Sequence, residues 1–301
     1  MKTLRLMVKL VRPHFLLGGI LLYALGVGIA RYLGTPVDWG VYFLGQAWVT
    51  LMQLSTHFLN EYFDAEADAH NTNRTPFTGG SGAIGEDKLP RAVAFWSGVI
   101  CLAGVALLTF FVIKDIRPGA ETFLFMSLIF LGAFFYAMPP VKLESSGYGE
   151  LTTSIVVANL VPALGFLFQA GGLHRLLAMT TFPLTGLHLA MLLAFELPDF
   201  ATDIKYDKRT MLVRLGWQTG MNLHNLLILA SFLMLAIAAA LGLPLRIALP
   251  AFLALPLGLL QIWYMNRIAA GAKPNWTTLT LSALVLFGAT AYLLALAFWL
   301  R

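Results

Sequence analysis

Apolar residues in this chain come in long unbroken blocks, not in the short alternations of half-buried strands or the one-sided stripes of surface helices. Blocks lie near residues 14–33, 41–60, 92–113, 122–138, 151–169, 179–197, 221–241, 247–265 and 277–299. Each is close to the roughly 20 residues needed to cross a hydrocarbon core about 30 Å thick. Continuous blocks exclude a β-barrel, so helices are the spanning structure that satisfies the backbone internally. The pattern predicts an all-α, polytopic membrane protein of about nine transmembrane helices, with its two ends on opposite sides. The first block is long and no small-residue cleavage site follows it before Arg31, so it is read as a membrane helix and not as a secretory signal.

Composition agrees: 58% of the 301 residues are hydrophobic and 12% are charged. The single cysteine, Cys101, falls inside an apolar block, which excludes an internal disulfide framework or a thiolate metal site. Of the 20 Lys and Arg, six (Arg31, Lys114, Arg117, Arg175, Arg246 and Arg301) fall on one side of the predicted spans, and the rest fall on the side of the N-terminus. That bias places the N-terminus in the cytoplasm, with the chain in the cell (inner) membrane. The net charge of +5 is therefore a topology signal and no nucleic-acid footprint. The pattern specifies no oligomeric state.

The connections are unequal. A single membrane domain spans 1–301, with cytoplasmic cap loops at about 61–91, 139–150 and 198–220. The chain has 15 Asp and Glu, and eight of them gather at the starts of two of these loops: Glu61, Asp64, Glu66 and Asp68 in the stretch FLNEYFDAEADAHNTNR, then Glu196, Asp199, Asp203 and Asp207. Asn60, Asp64 and Asp68 are spaced by four and would project from one helix face. Asp199, Asp203 and Asp207 repeat that spacing after Pro198, a residue tolerated at a helix start. Like charges at this spacing weaken an isolated helix, so two such rows point to a cation between them. Oxygen donors without cysteine or clustered histidine favour Mg²⁺ or Ca²⁺ over zinc. Arg74 follows the first row, and Lys208 and Arg209 follow the second, at distances suited to a phosphate. A single acidic run would read as a solvated helix end; two matched runs read as a metal-diphosphate site.

The segments NEYFDAEAD (60–68) and DFATD (199–203) resemble the two aspartate-rich signatures of the UbiA superfamily of intramembrane prenyltransferases. Glu61 departs from the usual Asp of the first signature. The resemblance extends over nearly the whole chain, including Arg12–Pro13 before the first span and a Tyr-bearing segment after the fourth. Within the superfamily, KRTMLVRLG (208–216) and TPFTGGSGAIGEDKL (75–89) are most similar to 1,4-dihydroxy-2-naphthoate prenyltransferases. Branches acting on 4-hydroxybenzoate or homogentisate share the aspartate motifs. The resemblance implies a central cavity opening near the cytoplasmic face and Mg²⁺-dependent prenyl transfer from a polyprenyl diphosphate to an aromatic acceptor. It further implies metal ligation by Asn60, Asp64, Asp68, Asp199, Asp203 and Asp207, diphosphate contacts from Arg74, Lys142, Lys208 and Arg209, and a catalytic part for Tyr136.

Other features carry two readings. The Gly-rich TGGSGAIG (78–85) is either a mobile cap or a plain flexible loop. Asn159, Gln169 and His188 inside spans read first as helix bridges, while His57, one turn before Asn60, draws more suspicion. Glu150 at a helix start suits the helix dipole. A cation transporter, the competing class, favours broken helices with charge near the bilayer midplane; here the acids sit at helix ends on one face.

Overall fold

The computed structural model describes residues 2–301. An amphipathic helix, Lys2–Val11, precedes nine long helices: α1 (Pro13–Tyr32), α2 (Trp39–Phe63), α3 (Arg91–Phe111, extended by a π-turn Val112–Ile116), α4 (Ala120–Ala137), α5 (Gly149–Ala170), α6 (Arg175–Glu196), α7 (Trp217–Ala240), α8 (Leu245–Ala269) and α9 (Trp276–Trp299). They coincide with the nine apolar blocks. Among the described residues, eight helical segments are long and apolar enough to cross a membrane. The remaining long helix, α2, is not among them: its 25 residues include Gln46, Gln53, Thr56, His57 and Asn60.

The outer surface explains the composition. Ile100 on α3 and Leu233 on α7 are 69% and 61% exposed, as expected of side chains solvated by lipid. Packing runs in pairs, α2 along α3, α6 along α7, and α1 against both α5 and α9. The α1–α5 contact is close enough to demand glycine: a Cβ on Gly26 would lie 1.8 Å from the Pro162 carbonyl oxygen, and one on Gly165 would lie 2.5 Å from that of Tyr23. Of the polar residues inside spans, Asn159 on α5 donates to Thr181 Oγ1 on α6 (2.9 Å), and His188 on α6 pairs with Ser154 on α5 (3.0 Å). Gln169 Oε1 accepts from the Asp38 backbone N–H at 2.8 Å. All three tie one segment to another, as the bridging reading expects.

Short helices cap one end of the bundle: Ala65–Ala69 after α2, Leu143–Ser145 before α5, and Phe200–Lys205 and Met211–Leu215 between α6 and α7. The helices Ala65–Ala69 and Phe200–Lys205, with the residues that cap their starts, Asp64 and Asp199, carry the acidic rows.

Candidate active site

A cavity of about 560 Å³ runs between α1, α2, α4, α5, α6 and α9. Its deep part is apolar, walled by residues such as Leu21, Met52, Ile129, Val157 and Phe287. Its other end holds Asn60, Asp64, Asp68, Asp199, Asp203 and Lys208. The period of four survives a helix break at each row. α2 ends at Phe63, yet Asp64 N–H still donates to Asn60 O and Asp68 N–H to Asp64 O, both at 2.9 Å; Asp203 N–H donates to Asp199 O at the same length. Each row is thus a helical turn swung off the end of a spanning helix, with its carboxylates turned inward.

Asp207 and Arg209 depart from that geometry. The short helix stops at Lys205, and Asp207 adopts a left-handed backbone (φ 51°), so the repeat does not extend to it. Its side chain is 84% exposed and pairs at 3.2 Å with Arg209, itself 65% exposed, outside the cavity. Sequence spacing counted Asp207 into a helix that had ended. Lys142 also lies off the cavity wall: it is left-handed (φ 41°), pairs with Glu144 at 3.5 Å and covers the Phe63 ring. Arg74 is spent on the loop, donating through Nε to Gly79 O (2.6 Å) and through Nη2 to Asp68 O (2.5 Å). Tyr136 does line the cavity.

The Gly-rich loop is pinned against the acids. Gly79 N–H donates to Asp199 Oδ2 (3.1 Å), and Asn71 Nδ2 donates to Asp199 Oδ1 (2.7 Å). Gly80 has φ 73°, and a Cβ there would lie 2.0 Å from Asp68 Oδ2, so only glycine lets this backbone approach the carboxylate. Glu61, 3% exposed, accepts from Ser81 N–H (2.5 Å) and Ser81 Oγ (2.6 Å) and faces Arg12 Nη1 at 3.7 Å. Arg12 also donates to Phe77 O (3.0 Å). The residue that departs from the signature anchors the loop.

Glu144 is the acid that sequence reasoning missed. Buried at 2% exposure, it lines the cavity, accepts from Asn60 Nδ2, and its Oε1 has no hydrogen-bond partner. A lone acid in a loop rich in Pro, Gly and Ser has no periodicity; the available signal was its closeness to Tyr136 and Lys142.

Lys208 is the cation in direct contact with the cavity aspartates. Lys208 Nζ lies 2.5 Å from Asp64 Oδ2, and its backbone N–H donates to Asp203 O at 2.8 Å. Although burial pulls the Lys208 ammonium down, Asp64, Glu144 and Asp203 hold it well above the usual lysine value. Burial, reinforced by Asp64 and Glu61, pushes Asp68 up to about 7. Burial also raises Asp203 to about 7 against the opposing pull of Lys208, lifts Asp199 against its bond from Asn71, and together with Asp64 raises Glu144. These acids are held short of positive charge.

An all-oxygen donor set, with a buried Glu144 Oε1 that has no hydrogen-bond partner and faces Lys142 Nζ at 3.5 Å, fits a hard cation such as Mg²⁺. Among the described residues, no three His, Cys, Asp or Glu side chains converge to wrap a single ion. Mg²⁺ suits such an open site, because it is bound through one or two carboxylates, waters and substrate phosphates and not by an all-protein cage.

The fold and site define a multi-span membrane protein with an acid-rimmed apolar cavity. The UbiA prenyltransferase family matches residues 20–284, and the chain belongs to that family. It is 26% identical over 193 residues to the 1,4-dihydroxy-2-naphthoate octaprenyltransferase of Escherichia coli (strain K12), covering 62% of this chain and 61% of that protein. Among solved structures it resembles a UbiA homologue from Archaeoglobus fulgidus bound to GPP and Mg²⁺ (TM-score 0.66, 15% identity, 95% of this chain and 98% of that one). It also resembles the apo UbiA homologue from Aeropyrum pernix K1 (TM-score 0.65, 13% identity, 92% and 96%). At that identity the likeness concerns the fold.

Proposed function

We propose that the protein transfers a polyprenyl group from an allylic diphosphate to 1,4-dihydroxy-2-naphthoate, with Mg²⁺ as its metal, at the cytoplasmic face of the cell membrane. The observation that carries this reading is the junction of two buried aspartates (Asp64 and Asp203), two half-buried ones (Asp68 and Asp199) and one lysine with an apolar cavity. A diphosphate fits the first part and an isoprenoid tail the second. The chain's relatives support it: the E. coli protein is named for this acceptor, and the Archaeoglobus homologue was solved with an isoprenoid diphosphate and Mg²⁺.

Bound Mg²⁺ supplies charge that neutralises a leaving diphosphate. Asn60, Asp64, Asp68, Asp199 and Asp203 would hold it, directly or through water, and Glu144 would add a sixth oxygen group at the same rim. Lys208 turns its ammonium from Asp64 to the diphosphate, stabilising charge that grows as the C–O bond breaks. The bonding pair leaves with the diphosphate. The carboxylated ring carbon then forms the new C–C bond, and loss of CO₂ returns its electron pair to the ring, giving the hydroquinone form of a demethylmenaquinone. Tyr136 lines the cavity, where its ring would shield an allylic cation. The pinned loop at 71–83 keeps water from that cation and limits hydrolysis to the prenol.

The test incubates purified protein with Mg²⁺, a labelled polyprenyl diphosphate and a panel of aromatic acids, and identifies products by mass. The naphthoate should be prenylated with release of CO₂. Turnover of a single-ring acid alone would overturn the acceptor, and no turnover of any acid would overturn the reaction.

A further inference from the structure

Two acids not used above lie behind the second aspartate row. Glu150 stands in the first turn of α5, and Glu196 is the last residue of α6. Both reach the same short helix, Met211–Leu215. Met211 N–H donates to Glu150 Oε1 (3.0 Å) and Leu212 N–H donates to Glu196 Oε2 (3.1 Å). Glu150 is 6% exposed, and its Oε2 has no donor of its own.

We propose that Glu150 and Glu196 form a carboxyl clasp that holds the first two N–H groups of the Met211–Leu215 helix and fixes the α6–α7 loop, so that Lys208 reaches Asp64. The clasp closes three residues beyond Lys208, and the intervening Thr210 caps the same helix by accepting from Val213 N–H (3.3 Å). Because its two halves come from different helices, it locks the loop to two walls of the cavity at once. The loop is otherwise exposed at Lys205 and Arg209, and a shift of about 1 Å is enough to spoil a charged contact with a substrate. Both acids are positioning residues for the donor diphosphate. The inference rests on the prenyl-transfer reading above.

Three variants test it. Glu150→Gln keeps an oxygen for Met211 N–H. Glu150→Leu keeps roughly the volume and removes that bond. Met211→Pro removes one N–H and leaves both acids untouched; proline is tolerated at a first helical position, and Thr210 already has the extended backbone (ψ 166°) that precedes proline. The readouts are binding of labelled geranyl diphosphate in the presence of Mg²⁺ and the rate of tryptic cleavage between Lys205 and Arg214. Glu150→Leu and Met211→Pro should each weaken binding by about tenfold, the loss of one charge-assisted hydrogen bond, and speed cleavage. Glu150→Gln should match the unmodified protein in both. The clasp is overturned if Glu150→Gln fails as Glu150→Leu does, or if Met211→Pro changes neither binding nor cleavage. Asp64→Asn is the reference: if it turns over donor and acceptor with Mg²⁺ at the rate of the unmodified protein, the diphosphate reading fails, whereas its loss of turnover beside clasp variants that bind and cleave normally removes only the clasp.

Discussion

The ammonium of Lys208 lies 2.5 Å from the carboxylate of Asp64, across 144 residues of chain, in the polar end of the cavity. It joins the second acidic row to the first. In that position the lysine serves as the internal counter-ion of an acid-rich site, and a divalent ion with its diphosphate would compete for the same oxygen.

Replacing either acid by its amide tests the rate directly. Asp64→Asn and Asp199→Asn should lower prenyl transfer by at least about 100-fold, the scale on which a lost charge-stabilising contact acts in a transition state, while the protein remains extractable in detergent and monodisperse. The loss should fall on kcat more than on the donor KM, because leaving-group charge develops only as the bond breaks. Turnover near the unmodified level in either variant removes the carboxylates from the mechanism.

Asp207 and Arg209 give the opposite expectation. Their ion pair is solvent-exposed, and such pairs contribute about 0–1 kcal/mol to stability. Asp207→Asn and Arg209→Gln should leave turnover within about twofold and thermal stability within about 0.5 kcal/mol. A large loss from Arg209→Gln would return that residue to the diphosphate, contrary to its placement outside the cavity.

The contrast between Asp203 and Asp207 shows where the sequence was legible. A period of four is visible in any helix, so Asn60, Asp64, Asp68, Asp199 and Asp203 could be read as inward rows before any fold was known. Where the helix stops is a weaker signal: nothing in IKYDKR announces that Lys205 ends it, and Asp207 was counted one turn too far. Basic residues next to an acidic row were equally ambiguous, because proximity in sequence does not say which way a long side chain points. Arg74 turns back to the carbonyls of Gly79 and Asp68, and Lys142 lies over Phe63. The nine apolar blocks were legible because the bilayer fixes their length. Glu144 was not, since its position depends on the path of a loop.

Proton competition sets the pH dependence of metal binding. Burial raises Asp68 and Asp203 to about 7, so both hold a proton below that value and release it above. A ligating carboxylate must be ionised, and metal binding then displaces whatever proton remains. Mg²⁺ affinity, measured by calorimetry in detergent, should therefore rise with pH through about 7 and level off above it, with proton release detectable near the midpoint as a dependence on buffer ionisation heat. The sign for stability is the reverse. These acids have raised folded-state values, so in metal-free protein their contribution is most favourable below the unfolded carboxylate range and is lost as pH rises through about 7. Metal affinity that falls as pH rises through the same range would contradict the assignment of Asp68 and Asp203 as ligands.

Glu61 offers a separate handle on the loop, because it holds Ser81 by two hydrogen bonds without itself lining the cavity. Glu61→Ala removes both, and it also leaves Arg12 with Phe77 O as its remaining polar contact. The loop at 71–83 should then open more often, which shows as faster tryptic cleavage after Arg74 and Lys88. Opening admits water, so a larger share of donor should end as free prenol while the summed consumption of diphosphate stays within a few-fold of the unmodified protein. Glu61→Asp, the residue usual in the resembled signature, keeps the charge on a side chain one methylene shorter. Because Ser81 N–H and Oγ both lie within 2.6 Å of the longer acid, the shorter one should leave an intermediate prenol fraction. A prenol fraction that is the same in Glu61→Ala as in the unmodified protein, with cleavage at Arg74 unchanged, would show that the remaining contacts of Arg74 and Gly79 suffice to hold the loop and that Glu61 does not gate water.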